Sequence, residues 1–290
     1  MPVDPPAPER AQELVRNYDL IRQQVDEAAA KCAAASTPRL VAVSKYKPSS
    51  DIVALYDHGV RHFGENYPQE LDGKAKESHS SRRAKEGLQL ILPRLRRSQL
   101  PRDIAWHYIG TLQSNKCKML ASIPNLFAIE TLTSLKSANL LHSTLSSLSP
   151  PRDTPLHVNT SGESQKSGLA PLSSSQPTGE ALDLALHIVR SCPTLRLTGL
   201  MTIGSFDAST SDAPNPDFEA LKQTRELLLE GLRSAVQDDA ELKGRIDALE
   251  QEGGLELSMG MSSDFIEAIE QGSTNVRVGS SIFGARPVKR

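Results

Sequence analysis

The sequence reads Leu40-Val41-Ala42-Val43-Ser44-Lys45-Tyr46-Lys47-Pro48, an apolar run that stops at a lysine and is closed by a proline. Such a run predicts a buried strand with Lys45 at its carboxyl end. Ligands of parallel α/β proteins bind at the carboxyl ends of strands, so this lysine is a candidate for chemistry. A partly desolvated lysine amine can condense with an aldehyde to form a Schiff base. The alternative is a solvated strand end, because most lysines are exposed.

Seven further short apolar runs follow this strand, and helical patterns separate them. The additional predicted strands lie at residues 61–66, 104–109, 126–130, 156–159, 195–203, 255–258 and 275–278. Helices are predicted at residues 50–58, from about 114, and at 134–148, 180–189, 217–236 (continued or re-formed through 248) and 264–271. Eight alternations in one chain predict an α/β fold, a single (β/α)8 TIM-type barrel. An amphipathic helix over residues 9–35 precedes it as an extra N-terminal element.

The domain organisation predicted from these patterns is simple. Residues 1–9 form a proline-rich flexible tail, and residues 10–287 form the barrel. Residues 74–103 are rich in lysine, arginine and serine and predict an exposed, partly helical insertion. A nucleic-acid patch is the alternative for this segment, but no aromatic residues interleave with its charges to stack on bases.

Composition excludes several classes of function. The formal net charge of -2 gives no electrostatic reason to expect nucleic acid or an anionic membrane. Three widely spaced cysteines in no ligand spacing indicate free thiols in a reducing compartment and predict no metal site. No apolar run reaches membrane-spanning length, and the first nine residues resemble neither a signal nor a transit peptide. The expected location is cytoplasmic, with a mitochondrial pool left open.

A second candidate site lies near the C-terminus, where the predicted strand eight runs into Gly279-Ser280-Ser281. Backbone N–H groups exposed by such a turn bind phosphate in barrels, and Ser262 and Ser263 after strand seven can add hydroxyl and amide donors. A tight turn is the alternative for this glycine-containing loop. Strands one and eight are neighbours in a closed barrel. A lysine amine that can react with an aldehyde, next to a loop that can bind phosphate, suits pyridoxal 5'-phosphate, which carries both groups.

Six ordered motifs resemble those of the pyridoxal phosphate homeostasis proteins, which are similar to the N-terminal barrel of alanine racemase. The motifs lie at residues 41–48, 63–67, 106–116, 199–201, 258–262 and 276–279. The resemblance, over about residues 10–287, implies a Schiff base on Lys45 and Arg277 facing the pyridine nitrogen. It further implies cofactor-binding roles for Asn66, His107, Met201, Ser262, Gly279 and Ser280.

Some of these assignments leave alternatives open. Arg277 would leave the pyridine nitrogen unprotonated and disfavour transaminase-type carbanion chemistry, or it is a structural charge at a strand end. His107 stacks on the cofactor, acts as acid or base, or is a hydrogen-bonded core residue. Lys166 lies near the pocket mouth or in a solvated loop. Cys117 has no adjacent base in the sequence and receives no catalytic role.

Two functions of different classes fit these expectations. The first is a monomeric or weakly associating carrier that holds pyridoxal phosphate on Lys45, maintains vitamin B6 homeostasis and delivers the cofactor to apoenzymes. The second is a pyridoxal phosphate-dependent amino-acid racemase. Alanine racemases continue into a second domain that supplies a catalytic tyrosine, whereas this sequence stops at Arg290. We therefore expect a non-catalytic protein with no catalytic residues. A scaffold without cofactor is disfavoured by the lysine and the phosphate loop.

Overall fold

Eight parallel strands form a closed barrel in chain order, with β1 paired to β8. The computed structural model describes residues 6–32, 37–77, 100–148, 154–159, 168–204, 214–251 and 253–285. The strands are β1 (Arg39–Val43), β2 (His62–Glu65), β3 (Ala105–Tyr108), β4 (Leu126–Leu132), β5 (Thr154–Asn159), β6 (Leu195–Met201), β7 (Glu256–Ser258) and β8 (Asn275–Val278). The predicted α/β barrel is thereby confirmed, with each strand at its predicted place in the chain.

The helices alternate with the strands around the barrel. They are α1 (Pro8–Lys31), α2 (Ser49–Asp57), α3 (Pro68–Glu77), α4 (Cys117–Ala121), α5 (Leu135–Ser146), α6 (Glu180–Ser191), α7 (Pro216–Ala235), α8 (Ala240–Gln251), α9 (Phe265–Glu270) and α10 (Ser280–Phe283). A 3-10 turn over Ser114–Lys116 leads into α4. Among the helices of the described ranges, none combines the length and the apolar character needed to cross a membrane.

Both faces of the strands are covered, which explains why most of their side chains are apolar. The last four residues of β1 and all four of β8 are buried, as expected when helices cover a parallel sheet from outside and side chains fill its interior. Phe63 of β2 and Trp106 of β3 are fully buried neighbours with ring centroids 6.1 Å apart. This contact packs β2 against β3, two of the strands whose carboxyl ends lead to candidate site residues.

Helix α1 packs against α2, α9 and α10. Arg10 donates to Asp51 of α2 at 2.7 Å and to the carbonyl of Phe283 in α10 at 2.8 Å. Asn17 donates to the carbonyl of Ile282 at 3.1 Å. The extra N-terminal helix therefore holds elements from both ends of the sequence against one another.

The sequence predicted a partly helical insertion from residue 74, but it did not predict that helix α3 begins at Pro68. Its last four residues fall inside the predicted insertion at 74–103, yet Lys74 and Ala75 are buried there. Residues 78–99, the greater part of that segment, lie outside the described residues, as do 1–5 of the predicted tail and 33–36 after α1.

Candidate ligand-binding site

A cavity of about 370 Å³ lies at the carboxyl ends of the strands. This volume is within the range of small-molecule pockets, roughly 300–1,000 Å³. It is lined by Val43, Lys45, Lys47, Asn66, Ile109, Ile203, Met261, Ser262, Ser263, Arg277, Gly279, Ser280 and Gly284. These described lining residues include two lysines and one arginine but no carboxylate, so the cavity favours an anionic ligand.

Lys45 lies two residues beyond the end of β1 and is half-buried. The amide of Ser44 donates to the carbonyl of Gly64 at 2.9 Å, which continues the pairing of β1 with β2 up to the lysine. The sequence prediction of a lysine at the carboxyl end of strand one is thus matched by the geometry. A primary amine at this position faces whatever ligand the cavity holds.

Asn66 follows β2 and places an amide in the cavity wall. Its Oδ1 atom is buried and accepts no hydrogen bond from any residue that the structure describes. A Cβ on Gly110 would lie 1.9 Å from the Asn66 carbonyl oxygen, so glycine is required for the close approach of the two loops. A buried acceptor without a donor is unfavourable, and a polar ligand that donates to Asn66 would satisfy it.

The loops after β7 and β8 meet in the cavity wall. The Gly279 amide donates to Ser262 Oγ at 3.3 Å, and α10 begins at Ser280. A Cβ on Gly279 would lie 3.3 Å from Val43 Cβ, so this glycine is explained by close packing of β8 against β1. Hydroxyls and helix-start amides gathered in this way suit the oxygens of an anion.

Arg277 brings a fixed positive charge to the cavity from inside β8. Only 4% of its surface is exposed. It donates to Ser258 Oγ at 2.5 Å and to the Thr202 carbonyl at 2.8 Å. Burial lowers the pKa of the guanidinium, and the negative charges of Glu130 and Asp264 oppose that effect. Arginine keeps its proton in proteins, so the cavity retains the charge.

A chain of buried polar groups continues from Arg277 through the barrel interior. Ser258 donates to Glu130 Oε2 at 2.6 Å, and Glu130 Oε1 lies 2.6 Å from Nδ1 of His107. Nε2 of His107 lies 2.9 Å from Nδ1 of His62. The pKa of His62 falls to about 4 because burial and the neighbouring His107 both disfavour its charged form. Glu130 therefore connects Arg277, through Ser258, with the two histidines of the barrel interior.

Six of the eight sequence-predicted site residues line the cavity. They are Lys45, Asn66, Ser262, Arg277, Gly279 and Ser280. His107 and Met201 do not line it, and both are fully buried. His107 is held inside the barrel by Glu130 and His62, which is the alternative of a hydrogen-bonded core residue. Lys166 lies outside the described residues.

The sequence reasoning named Ser263 as a donor beside Ser262 but assigned no role to Lys47, to the apolar lining residues or to the interior carboxylate. Lys47 donates to the carbonyls of Phe283 and Ala285 at 3.0 and 2.8 Å, and burial lowers the pKa of its amine. Its position two residues after Lys45 is the sequence feature that could have identified it as a lining residue. Glu130 was visible as a lone carboxylate in an apolar strand, but its partners come from other strands. Apolar walls formed by Val43, Ile109, Ile203 and Met261 carry no sequence signal that separates them from the core.

Comparisons with known proteins show which family the chain resembles. Residues 16–287 match the family model of the alanine racemase N-terminal domain. A pyridoxal phosphate homeostasis protein of Schizosaccharomyces pombe is 39% identical over 272 residues, covering 94% of this chain and 92% of that protein. The human protein of that name is 41% identical over 251 residues, covering 86% and 77% of the two chains.

A solved structure extends the likeness to a ligand-bound relative. The structure of PipY from Synechococcus elongatus with PLP bound aligns with 93% of this chain and 100% of that chain. The sequence identity is 25% and the TM-score 0.60.

Proposed function

Because the chain belongs to the pyridoxal phosphate homeostasis protein family, we propose that its cavity binds pyridoxal 5'-phosphate through Lys45 and that the protein serves as a carrier of this cofactor. The observation that carries the proposal is the presence of Lys45 in one cavity with Ser262, Gly279 and Ser280. An amine and an anion-binding loop are the two groups that an aldehyde with a phosphate requires.

The residues present fit this cofactor. Among the described lining residues three are cationic and none is acidic, which suits a phosphate ester. The buried Oδ1 of Asn66, which has no donor among the described residues, is available to a polar group of the ring. Apolar atoms of Val43, Ile109 and Ile203 can cover the faces of a planar ring.

Each polar residue would have a distinct task. Pyridoxal phosphate supplies an aldehyde carbon that accepts a primary amine with loss of water. Lys45 would provide that amine, and Ser262, Ser280 and the start of α10 would hold the phosphate. Arg277 would present a permanent donor to the ring, held in place by Ser258 and the carbonyl of Thr202. A donor that never gives up its proton would leave the ring nitrogen unprotonated, which disfavours carbanion chemistry of the transaminase type.

The proposal of a carrier without turnover is supported by the names of the relatives, which are homeostasis proteins. It includes delivery of the cofactor to apoenzymes by a monomeric or weakly associating protein. Racemization by two opposed acid/base groups is the competing activity.

The test is reduction of the protein–cofactor mixture with borohydride, followed by localisation of the label by fragmentation mass spectrometry. We expect one cofactor per chain on Lys45 in the unchanged protein, no specific label in Lys45→Ala, and full label in Lys118→Ala. Lys118 is an exposed lysine of α4 outside the cavity lining and is the matched control.

Label found on Lys47 would mean that the cofactor attaches two residues away from Lys45. As much label in Lys45→Ala as in the unchanged protein would refute attachment through Lys45. In a parallel assay, purified protein loaded with the cofactor should not interconvert D- and L-alanine. Substantial turnover would replace the carrier with a racemase.

A further inference from the structure

We propose that Glu70 and Lys74 of α3 are positioning residues that fix the backbone on both sides of Lys45. This inference rests on the proposed function of Lys45. Neither residue lines the cavity, so their effect on the ligand would pass through the polypeptide chain. We call this pair the α3 clamp.

The clamp contacts the residue before Lys45 and the residue after it. Lys74 Nζ donates to the Ser44 carbonyl at 2.9 Å. The Tyr46 amide donates to Glu70 Oε1 at 2.7 Å. The lysine is thus bracketed by two hydrogen bonds in which one partner is charged, and such bonds are stronger than neutral ones.

The clamp is itself held rigidly. Lys74 Nζ lies 2.8 Å from Glu70 Oε1 and 2.7 Å from Oε1 of Glu65, which also accepts from Ser44 Oγ at 2.6 Å. Glu65 is fully buried, and Lys74 is 5% exposed. Buried charges are a weak source of stability compared with apolar packing, so their use beside Lys45 favours a role in geometry.

The backbone between the two clamp bonds adopts a conformation that needs support. Tyr46 has φ of +62° and is the single described non-glycine residue with positive φ. This left-handed conformation is unfavourable for a residue with a Cβ and persists where the surroundings fix it. Without the α3 clamp, residues 44–46 can relax toward ordinary backbone angles and carry the Lys45 amine away from the anion-binding loop.

The experiment compares Glu70→Ala with Asp72→Ala. Asp72 forms an ion pair with Lys76 on the same helix, at the same i,i+4 spacing and a distance of 2.6 Å. The side chain of Lys76 is exposed, so this ion pair lies at the surface. Hydrogen–deuterium exchange of residues 44–48 is measured without cofactor, and the rate of borohydride-trapped label on Lys45 is measured at low cofactor concentration.

In Glu70→Ala we expect faster exchange in that segment and trapping slowed about tenfold or more, the change that one charge-assisted hydrogen bond supports. Asp72→Ala should match the unchanged protein in both measurements. Glu70→Gln retains an acceptor for the Tyr46 amide and should keep most of the trapping rate. Adding Tyr46→Gly to Glu70→Ala should recover part of the rate, because glycine adopts positive φ without the clamp.

Unchanged exchange and trapping in Glu70→Ala would overturn the inference, and so would equal losses in Asp72→Ala. If Glu70→Ala fails to fold, faster exchange of residues 44–48 in Lys74→Met supports the clamp, and unchanged exchange refutes it. Absence of label on Lys45 in the unchanged protein would refute the proposed function instead. The exchange measurement would still decide whether the clamp fixes the backbone.

Discussion

Glu130 is the residue on which two buried groups depend, Arg277 on one side and His107 on the other. Its Oε2 lies 4.0 Å from the guanidinium and its Oε1 2.6 Å from the imidazole. The sequence showed each of these residues in a strand, but it could not show that they meet. Their contacts depend on which interior layer each strand contributes, and that is decided only when the barrel closes. A cofactor-binding role for His107 stays a prediction, and the described cavity lining does not include this residue.

The depressed pKa of His62 predicts a pH dependence of folding stability. Its pKa in the folded protein is about 4, against an ordinary value of 6.5, because burial and then His107 and Arg39 disfavour the charged ring. The unfolded chain takes up the proton first as the pH falls, so stability is lost between about pH 6.5 and 4.

We expect this loss to be roughly 1–2 kcal/mol after allowing for solvent screening of a partly exposed ring. Urea unfolding at successive pH values measures it. His62→Gln removes the titrating group and should flatten the curve over this interval. An equally steep curve in that variant would assign the effect to other groups.

At the scale of elements, the strands were predictable and α3 was not. β8 occurs where the alternation of Val276 and Val278 places it, because a buried parallel strand requires apolar side chains. In α3 the buried face consists of Leu71, Lys74 and Ala75. Lys74 interrupts the apolar i, i+3, i+4 pattern that indicates a helix, because a lysine is normally expected to be solvent-exposed. The residue that hid the helix, Lys74, is the same one that donates to the carbonyl of Ser44, next to Lys45.

Two glycines test how closely the elements around the cavity pack. Gly110→Ala would drive a Cβ into the Asn66 backbone, so we expect a loss of about 2–3 kcal/mol in the free energy of unfolding. Gly73 is interior to α3 with no heavy atom near its Cβ position, and Gly73→Ala should stabilise by about 0.5–1 kcal/mol.

Denaturant unfolding of both variants measures the two effects with opposite signs. Weaker cofactor binding should accompany Gly110→Ala alone, because Asn66 lines the cavity and no residue of α3 does. Equal stability of the two variants would mean that the loops after β2 and β3 adapt without cost.

At the scale of the whole molecule, a ligand in the cavity should stabilise the entire barrel. The cavity draws residues from β1 and β8, the two strands whose pairing closes the ring. Cofactor at about 100 times its dissociation constant adds about 2.7 kcal/mol to the folded state. For a chain of 290 residues that raises Tm by about 4–5 °C.

Thermal unfolding with and without pyridoxal phosphate measures this shift, and Lys45→Ala should show a much smaller one. A full shift in that variant would mean that the phosphate contacts, rather than the lysine, supply most of the binding free energy.

The pairing of Arg39 with Asn275 also sets an order of events during protein synthesis. When β1 leaves the ribosome, the strand that forms the other side of its cavity has not been translated. A nascent chain therefore displays Lys45 without Arg277 or the loop at Gly279, and it has no means of retaining a phosphate ester. We expect the cofactor to be bound only after the completed chain has folded, so that vitamin supply governs the occupancy of finished molecules.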